Sequence, residues 1–335
     1  MFMKSKIVLG TLVVGFCGIL LVSYGKEIKK EQVSADSFVS KEKKEPIFPT
    51  LNRPESYNHS NNEVVSIPEI ITPVTSRSAI NEAATKEELT TRMLNSIDFF
   101  SNAKGQLSYN SFNNNGISYT TDFVMNKSNM NLTYEETNFD IKEDKLRSAG
   151  MTGISEKYVT TFDSKNFTAY NLVGDEVSER VDQFLEVSPE QMGSSNSNQN
   201  GGLEDKISLT ETGEPIYELK YEPNYLTYSK QSLLPEDLTL GILKDFDKWE
   251  IVSNEEFAGI QTKRIEGQLN EEYRKRYLSE TFIMNVDPMA GILLRFESYL
   301  GTEVKEQMIV NDIELNSVLS RDMFITTKEE VANEK

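Results

Sequence analysis

Residues 249–269 read Trp249-Glu-Ile-Val-Ser-Asn-Glu-Glu-Phe-Ala-Gly-Ile260-Gln-Thr-Lys-Arg-Ile-Glu-Gly-Gln-Leu269. Residues 282–299 read Phe282-Ile-Met-Asn-Val-Asp-Pro-Met-Ala-Gly-Ile292-Leu-Leu-Arg-Phe-Glu-Ser-Tyr299. Both are β-branched and aromatic runs interrupted by short Gly- or Pro-containing turns, the pattern of consecutive hairpins. The spacing predicts strands over 249–253, 260–269, 277–286, 292–299, 303–311 and 313–316. No helix intervenes, so the sheet is expected to be an antiparallel meander.

Upstream the period is two as well. Residues 106–111 and 117–125 flank Phe112-Asn-Asn-Asn-Gly116, a turn sequence, and Ile117, Tyr119, Thr121, Phe123 and Met125 share one face. Further strands are expected over 130–135, 157–162, 166–173, 206–210 and 216–221, with a helix from about 175 to 187. Residues 189–203 are a Ser/Asn/Gly-rich loop. Thr85-Lys-Glu-Glu88 is a capping box, and Leu89, Met93, Ile97 and Phe100 follow at helical spacing. A helix over 86–103 with Gly105 as its stop is therefore expected. Pro235 can start a second helix in which Leu238, Ile242, Leu243 and Phe246 face one way.

The C-terminal third, Trp-Glu-Ile…Glu-Phe-Ala-Gly-Ile…Arg-Ile-Glu-Gly followed by Asn-Val-Asp-Pro-Met-Ala-Gly-Ile-Leu-Leu-Arg-Phe-Glu, resembles the LolA/RseB-like superfamily. That group holds lipoprotein carriers, MucB-type sigma-factor regulators and membrane-attached Gram-positive relatives. The resemblance spans 85–320 and is strongest over 249–316; Val286 stands before the turn aspartate where the family often has Trp. It implies an α+β fold, a curved antiparallel open half-barrel sheet wrapped around helices. It also implies an apolar concavity that holds acyl chains or a peptide, and it brings no catalytic residues.

The termini set the location. Lys4 and Lys6 precede an uncharged run of 19 residues, 7–25, long enough to cross a bilayer core of about 30 Å as a helix. Residues 1–25 are thus expected to be a signal peptide or a membrane anchor. Ser23 and Gly25 suit cleavage after Gly25, which would give a secreted protein. Uncleaved, the chain is single-pass in the cell membrane with an extracytoplasmic C-terminal domain. Cys17 follows Phe16, not the small residue that lipidation needs. Residues 26–84, with five prolines and no apolar period, are expected to be a disordered linker; 85–320 form the domain and 321–335 a tail.

Charge and composition exclude several functions. The net charge is −18, and beyond the two leading lysines it is −20, which repels nucleic acid. One His (His59) and one Cys allow neither an internal disulfide nor a Cys/His zinc site, so no metal or other cofactor is expected. The pairs Glu255/Glu256, Glu271/Glu272 and Glu297/Glu303 could pose as acid–base couples, but 53 acidic residues produce such pairs by chance. Arg274-Lys275-Arg276 reads as a phosphate or lipid-head contact or, more simply, as a charge-blunted strand edge.

No catalytic residue is expected. The site is expected either to bind a lipid or peptide through the inward-facing Tyr119, Phe123, Trp249, Phe282 and Phe296, or to act as a sensor that regulates a membrane partner such as an anti-sigma factor. The alternatives are a surface structural protein whose concavity its own side chains fill, and an envelope hydrolase.

Overall fold

The structure, a computed structural model, describes residues 67–73, 81–113, 116–127, 131–140, 156–183, 201–212, 215–217 and 226–333. The expected membrane segment (1–25), most of the linker and most of the 189–203 loop lie outside these residues.

Two antiparallel meanders build one sheet. The first comprises β2 (Asn102–Ser111), β3 (Ser118–Asn126), β4 (Leu132–Asp140), β5 (Lys157–Asp163), β6 (Asn166–Val173) and β7 (Glu176–Gln183). The second comprises β10 (Trp249–Phe257), β11 (Ile260–Gln268), β12 (Thr281–Val286), β13 (Leu293–Leu300) and β14 (Glu303–Leu315). They join through β14 and β2, giving an 11-stranded sheet among the described residues, in the order β10-β11-β12-β13-β14-β2-β3-β4-β5-β6-β7. The outer strands β10 and β7 do not pair with each other, so the sheet is an open half-barrel. A two-stranded sheet pairs β8 (Ile207–Leu209) with β9 (Pro215–Tyr217), and another pairs β1 (Ile70–Ile71) with β15 (Leu319–Ser320).

Helices α1 (Lys86–Leu94), α2 (Lys230–Leu233), α3 (Glu236–Ile242) and α4 (Glu271–Tyr277) cover one face. Thr85 caps α1 as expected, its hydroxyl accepting from the Glu88 amide while Glu88 reaches back to the Thr85 amide. The helix ends at Leu94, well before 103. Asn95 leaves helical geometry, and its side-chain amide donates to the Thr91 and Gly201 carbonyls. Gly105 is consequently in β2 and not a helix stop. A Cβ there would lie 2.2 Å from the Asp312 carbonyl oxygen, beside a bulge in β14, so the close backbone approach requires glycine.

Three further expectations are corrected. Residues 176–183 are strand β7, not helix: Gly174, at φ 60°, and Asp175 make a two-residue turn that returns the chain along β6. Residues 271–277 are α4, capped by the Asn270 side chain on the Tyr273 amide, so the basic triplet lies in a helical last turn and not on a strand. The third strand begins at Leu132 and runs to Asp140, further than the period showed.

Packing extends past the expected domain limits at both ends. Ile71 is buried with Leu132, Leu319 and Phe324, on the face of β4 opposite the helices. Helix α5 (Lys328–Asn333) buries Val331 against Val159 and Tyr170. Residues 67–73 and 319–333 together cover apolar side chains that alternation places on the second face of β4–β6.

The Asp287–Gly291 turn, central to the family resemblance, is structural. Asp287 accepts from the Met289 amide, Arg92 of α1 donates to the Pro288 and Met289 carbonyls, and Gly291 sits at φ 75° against the Arg92 carbonyl. The turn thereby fixes α1 to the sheet.

Candidate functional site

Alternation aims Leu107 and Tyr109 of β2, Tyr119, Phe123 and Met125 of β3, Phe139 of β4 and Tyr158 of β5 toward the helix-covered face. The helices cover only part of it. Toward one end, where β2 and β4 finish and β3 and β5 start, five rings remain half-buried: Tyr109, Tyr119, Phe139, Tyr158 and Tyr228. They form a continuous belt. Tyr109 stacks on Tyr119 at 5.0 Å, and Tyr119 meets Phe139 at 5.7 Å and Tyr228 at 4.9 Å, edge to face. Tyr228 touches Phe139 at 5.6 Å and Tyr158 at 6.2 Å. Such geometries add to the apolar burial itself.

Two buried carboxylates hold the belt. Glu135 of β4 accepts from the backbone amides of Thr227 and Ser229 and from the Ser229 hydroxyl, so it pins both neighbours of Tyr228. The Thr160 and Thr227 hydroxyls bond at 3.3 Å. Glu306 of β14 accepts from the Tyr109 hydroxyl, from Ser111 at 2.8 Å and from Asn113 at 2.7 Å. Burial raises the Glu306 carboxyl above its ordinary range, against the opposing pull of those donors. Burial likewise raises the phenols of Tyr109 and Tyr119, with nearby Glu306 and Glu135 adding to it, so both stay protonated donors at neutral pH.

All five expected site residues point to the concave side, but only Tyr119 is in the belt. Phe123, Phe282 and Phe296 are 1% exposed and Trp249 is 2% exposed. Trp249 donates its indole N–H to the Leu243 carbonyl at 3.0 Å, and the Lys86 ammonium lies 5.2 Å above its ring. Phe282 and Phe296 sit under α1, α3 and α4 with Leu89, Met93, Leu238 and Tyr277. These four are core, each worth about 1.5–3 kcal/mol of burial.

Sequence reasoning missed Tyr109, Phe139, Tyr158 and Tyr228. Tyr109 was recoverable, because it lies directly opposite Tyr119 across the 112–116 turn. Phe139 fell beyond the expected end of its strand, and Tyr228 comes from a distant segment with no period to place it.

At least one member of each carboxylate pair is tied up in an ion pair or hydrogen bonds. Glu255 pairs with Arg264 at 3.1 Å, Glu271 with Lys275 at 2.6 Å and Glu303 with Lys305 at 2.8 Å. Glu297 accepts from Arg295, Tyr299 and Gln307. No group of acidic, His or Cys side chains able to hold a metal occurs among the described residues. A separate shallow cleft of about 460 Å³ lies between the β6–β7 turn and α5, lined by Asp175, Glu176, Val177, Lys328, Glu329 and Ala332. It is unconnected by any of these residues with the belt.

No protein-family model and no curated protein sequence matches the chain. Among solved structures it is similar to LprF from Mycobacterium bovis, at 9% identity and TM-score 0.35, over 71% of this chain and 95% of that one. It is similar to the Mycobacterium tuberculosis lipoprotein LppX at 10% identity and TM-score 0.34, over 70% and 97% of the two chains. A LolA superfamily protein from Nitrosomonas europaea aligns over 72% and 99% at 7% identity and TM-score 0.20. At these scores the fold and site rest on this chain's own strand order and side chains. That strand order gives the expected architecture, an open antiparallel half-barrel over helices.

Proposed function

We propose that this protein is an extracytoplasmic binding protein, held at the cell membrane by residues 7–25, whose concave face takes an elongated apolar ligand along the aromatic belt. It works by binding and not by catalysis. The observation that supports this is the belt itself: five contiguous, half-buried rings at the uncovered end of an open sheet, each fixed by a strand or by a buried carboxylate. The part of this aromatic area that stays exposed gains by being covered, at roughly 25 cal/mol per Å².

The ligand is an acyl chain or a peptide. The filled interior beneath the helices favours the second as an alternative, because Phe123, Trp249, Phe282 and Phe296 already occupy the depth an engulfed chain would need. In that version a segment of a membrane protein, such as an anti-sigma factor, lies on the belt and the protein acts as its regulator. Native mass spectrometry of the full chain after mild extraction tests the proposal. A lipid or peptide adduct that disappears in Tyr119→Ala and Tyr228→Ala is expected. An adduct-free wild type, or one whose adducts ignore both substitutions, contradicts it.

A further inference from the structure

Tyr228 differs from the other belt rings in how it is carried. Tyr109, Tyr119, Phe139 and Tyr158 stand on neighbouring strands, whereas Tyr228 lies on a short segment, 226–229, that leads into α2. Its ring enters the row edge-on. It meets Tyr119 at 4.9 Å, Phe139 at 5.6 Å and Tyr158 at 6.2 Å, with interplanar angles of 61°, 78° and 84°. It therefore fills the hollow that three strand rings frame. An apolar chain laid across those rings has to take the space that Tyr228 holds.

Anchors on either side bound the segment. Leu226 is buried in the same apolar cluster as Phe123. On the other side α2 is fixed by the Ser232 hydroxyl, which donates to the Leu293 carbonyl at 2.8 Å, and by the Ser96 hydroxyl, which donates to the Leu233 carbonyl at 2.7 Å. The main chain between these anchors is clipped to the sheet by Glu135 of β4. Glu135 is 1% exposed, and the Thr227 amide, the Ser229 amide and the Ser229 hydroxyl all donate to it. Ser229 is also the residue before α2, where a serine hydroxyl normally accepts from the helix amides; here it makes no such cap and turns to Glu135. Because each of these donors sits on the segment, their bonds to Glu135 form and break together. Closed, they offset the cost of enclosing the carboxylate. Once the segment lifts, water reaches the same oxygens, so the open form strands no buried charge.

Taking the belt as the ligand site, we propose that residues 227–229 are a gate over it and that Glu135 is the latch. The gate lifts to admit the ligand, and Tyr228 then closes on it. A belt without the gate ring retains ligand poorly, in keeping with the loss of adducts expected in Tyr228→Ala.

Amide hydrogen exchange of the full-length protein reads the gate itself. The Thr227 and Ser229 amides should exchange by local opening, at least about tenfold faster than the β3 amides at 121–125, which are released only with the sheet. Glu135→Gln keeps an acceptor and removes its charge, so exchange at 227 and 229 should rise by roughly tenfold while β3 is unchanged. Equal exchange at both places, or a Glu135→Gln effect that is the same at both, makes Glu135 a purely structural residue and overturns the proposal.

A second measurement closes the gate covalently. The Thr160 and Thr227 hydroxyls lie 3.3 Å apart, within reach of a disulfide, so Thr160→Cys with Thr227→Cys can be bridged; Cys17→Ser removes the sole native thiol. Palmitate carrying a diazirine is added once intact mass shows the bridge, and after irradiation labels on Tyr119, Phe139 and Tyr158 are located by fragmentation. The bridged protein should be nearly unlabelled at these rings. Reduction should restore the labels, which also shows that the variant is folded. Equal labelling of the bridged and reduced forms overturns the gate and leaves the belt as the site. Absence of label at these rings in the wild type and in both forms contradicts the belt as the site, and with it the gate.

Discussion

Glu306 and Glu297 are both largely enclosed carboxylates, and they respond to pH in opposite senses. Burial raises Glu306, so the folded state holds its proton more tightly than the unfolded chain. Its ionisation therefore costs stability as pH rises past the unfolded value of about 4.5, and acidification restores that stability. Burial also acts to raise Glu297, but Arg295, Tyr299 and Gln307 outweigh it and its pKa ends below the ordinary value. Glu297 thus contributes stability above about 4.5 that is lost as pH falls through the lowered folded value. Denaturant titrations across pH should show that Glu306→Gln removes a decline toward neutral pH, while Glu297→Gln removes a loss on the acid side. A second residue-scale prediction separates core from belt. Phe296→Ala should cost about 3–5 kcal/mol in unfolding free energy, whereas Tyr119→Ala should cost less and abolish ligand adducts. Leu278→Gly should raise unfolding free energy by about 1 kcal/mol through relief of left-handed strain at φ 52°.

At the scale of elements, local chemistry explains what the sequence reveals and what it hides. The β10–β11 hairpin is legible from its two apolar-patterned runs, but β10 continues past the expected end at 253 to Phe257, and only Ala258 and Gly259, at φ 49° and 76°, make the turn. The α1 start is legible because its capping box is local; Thr85→Ala should cost about 0.5–2 kcal/mol, read by thermal melting. Element ends decided by tertiary contacts are not legible. Leu89, Met93, Ile97 and Phe100 keep helical spacing, yet Ile97 lies in a 3-10 turn and Phe100 beyond it, because β2 has to begin at Asn102 to pair with β14 and β3. Residues 176–183 carry two apolar side chains, Val177 and Val181, at a spacing of four that fits a helix or an exposed edge strand equally well, and pairing with β6 decides between them. Gly105 shows the same effect: its role comes from Asp312, more than 200 residues away. Gly105→Ala should weaken the β14–β2 junction by about 1–3 kcal/mol, the usual cost of overpacking, with amide-exchange protection falling first around 103–107 and 310–315.

For the molecule as a whole, the junction of β14 with β2 makes one sheet of two meanders, and it leaves a concave face that the helices only partly fill. The inward direction of Tyr119, Phe123, Trp249, Phe282 and Phe296 was legible, since period two fixes a face. How far each is covered was not, since that depends on where α1, α3 and α4 lie. The same holds for the termini: Ile71, Phe324 and Val331 have no local period that announces their burial. Truncation after Ser320 should therefore destabilise the domain by several kcal/mol, because two buried side chains worth about 1.5–3 kcal/mol each are lost and the covered face of β4–β6 is opened. A truncated chain with an unchanged melting temperature would show that this cover is dispensable.

The central claim is that the aromatic belt is where a ligand sits. The most direct measurement places a photoreactive benzoylphenylalanine at position 119, at position 228 and, as a core control, at position 296, in the full-length protein in intact cells. After irradiation the adduct mass and its fragments identify lipid or peptide. Adducts at 119 and 228 but not at 296 are predicted. Stable, folded protein with no adduct at either belt position would contradict the account.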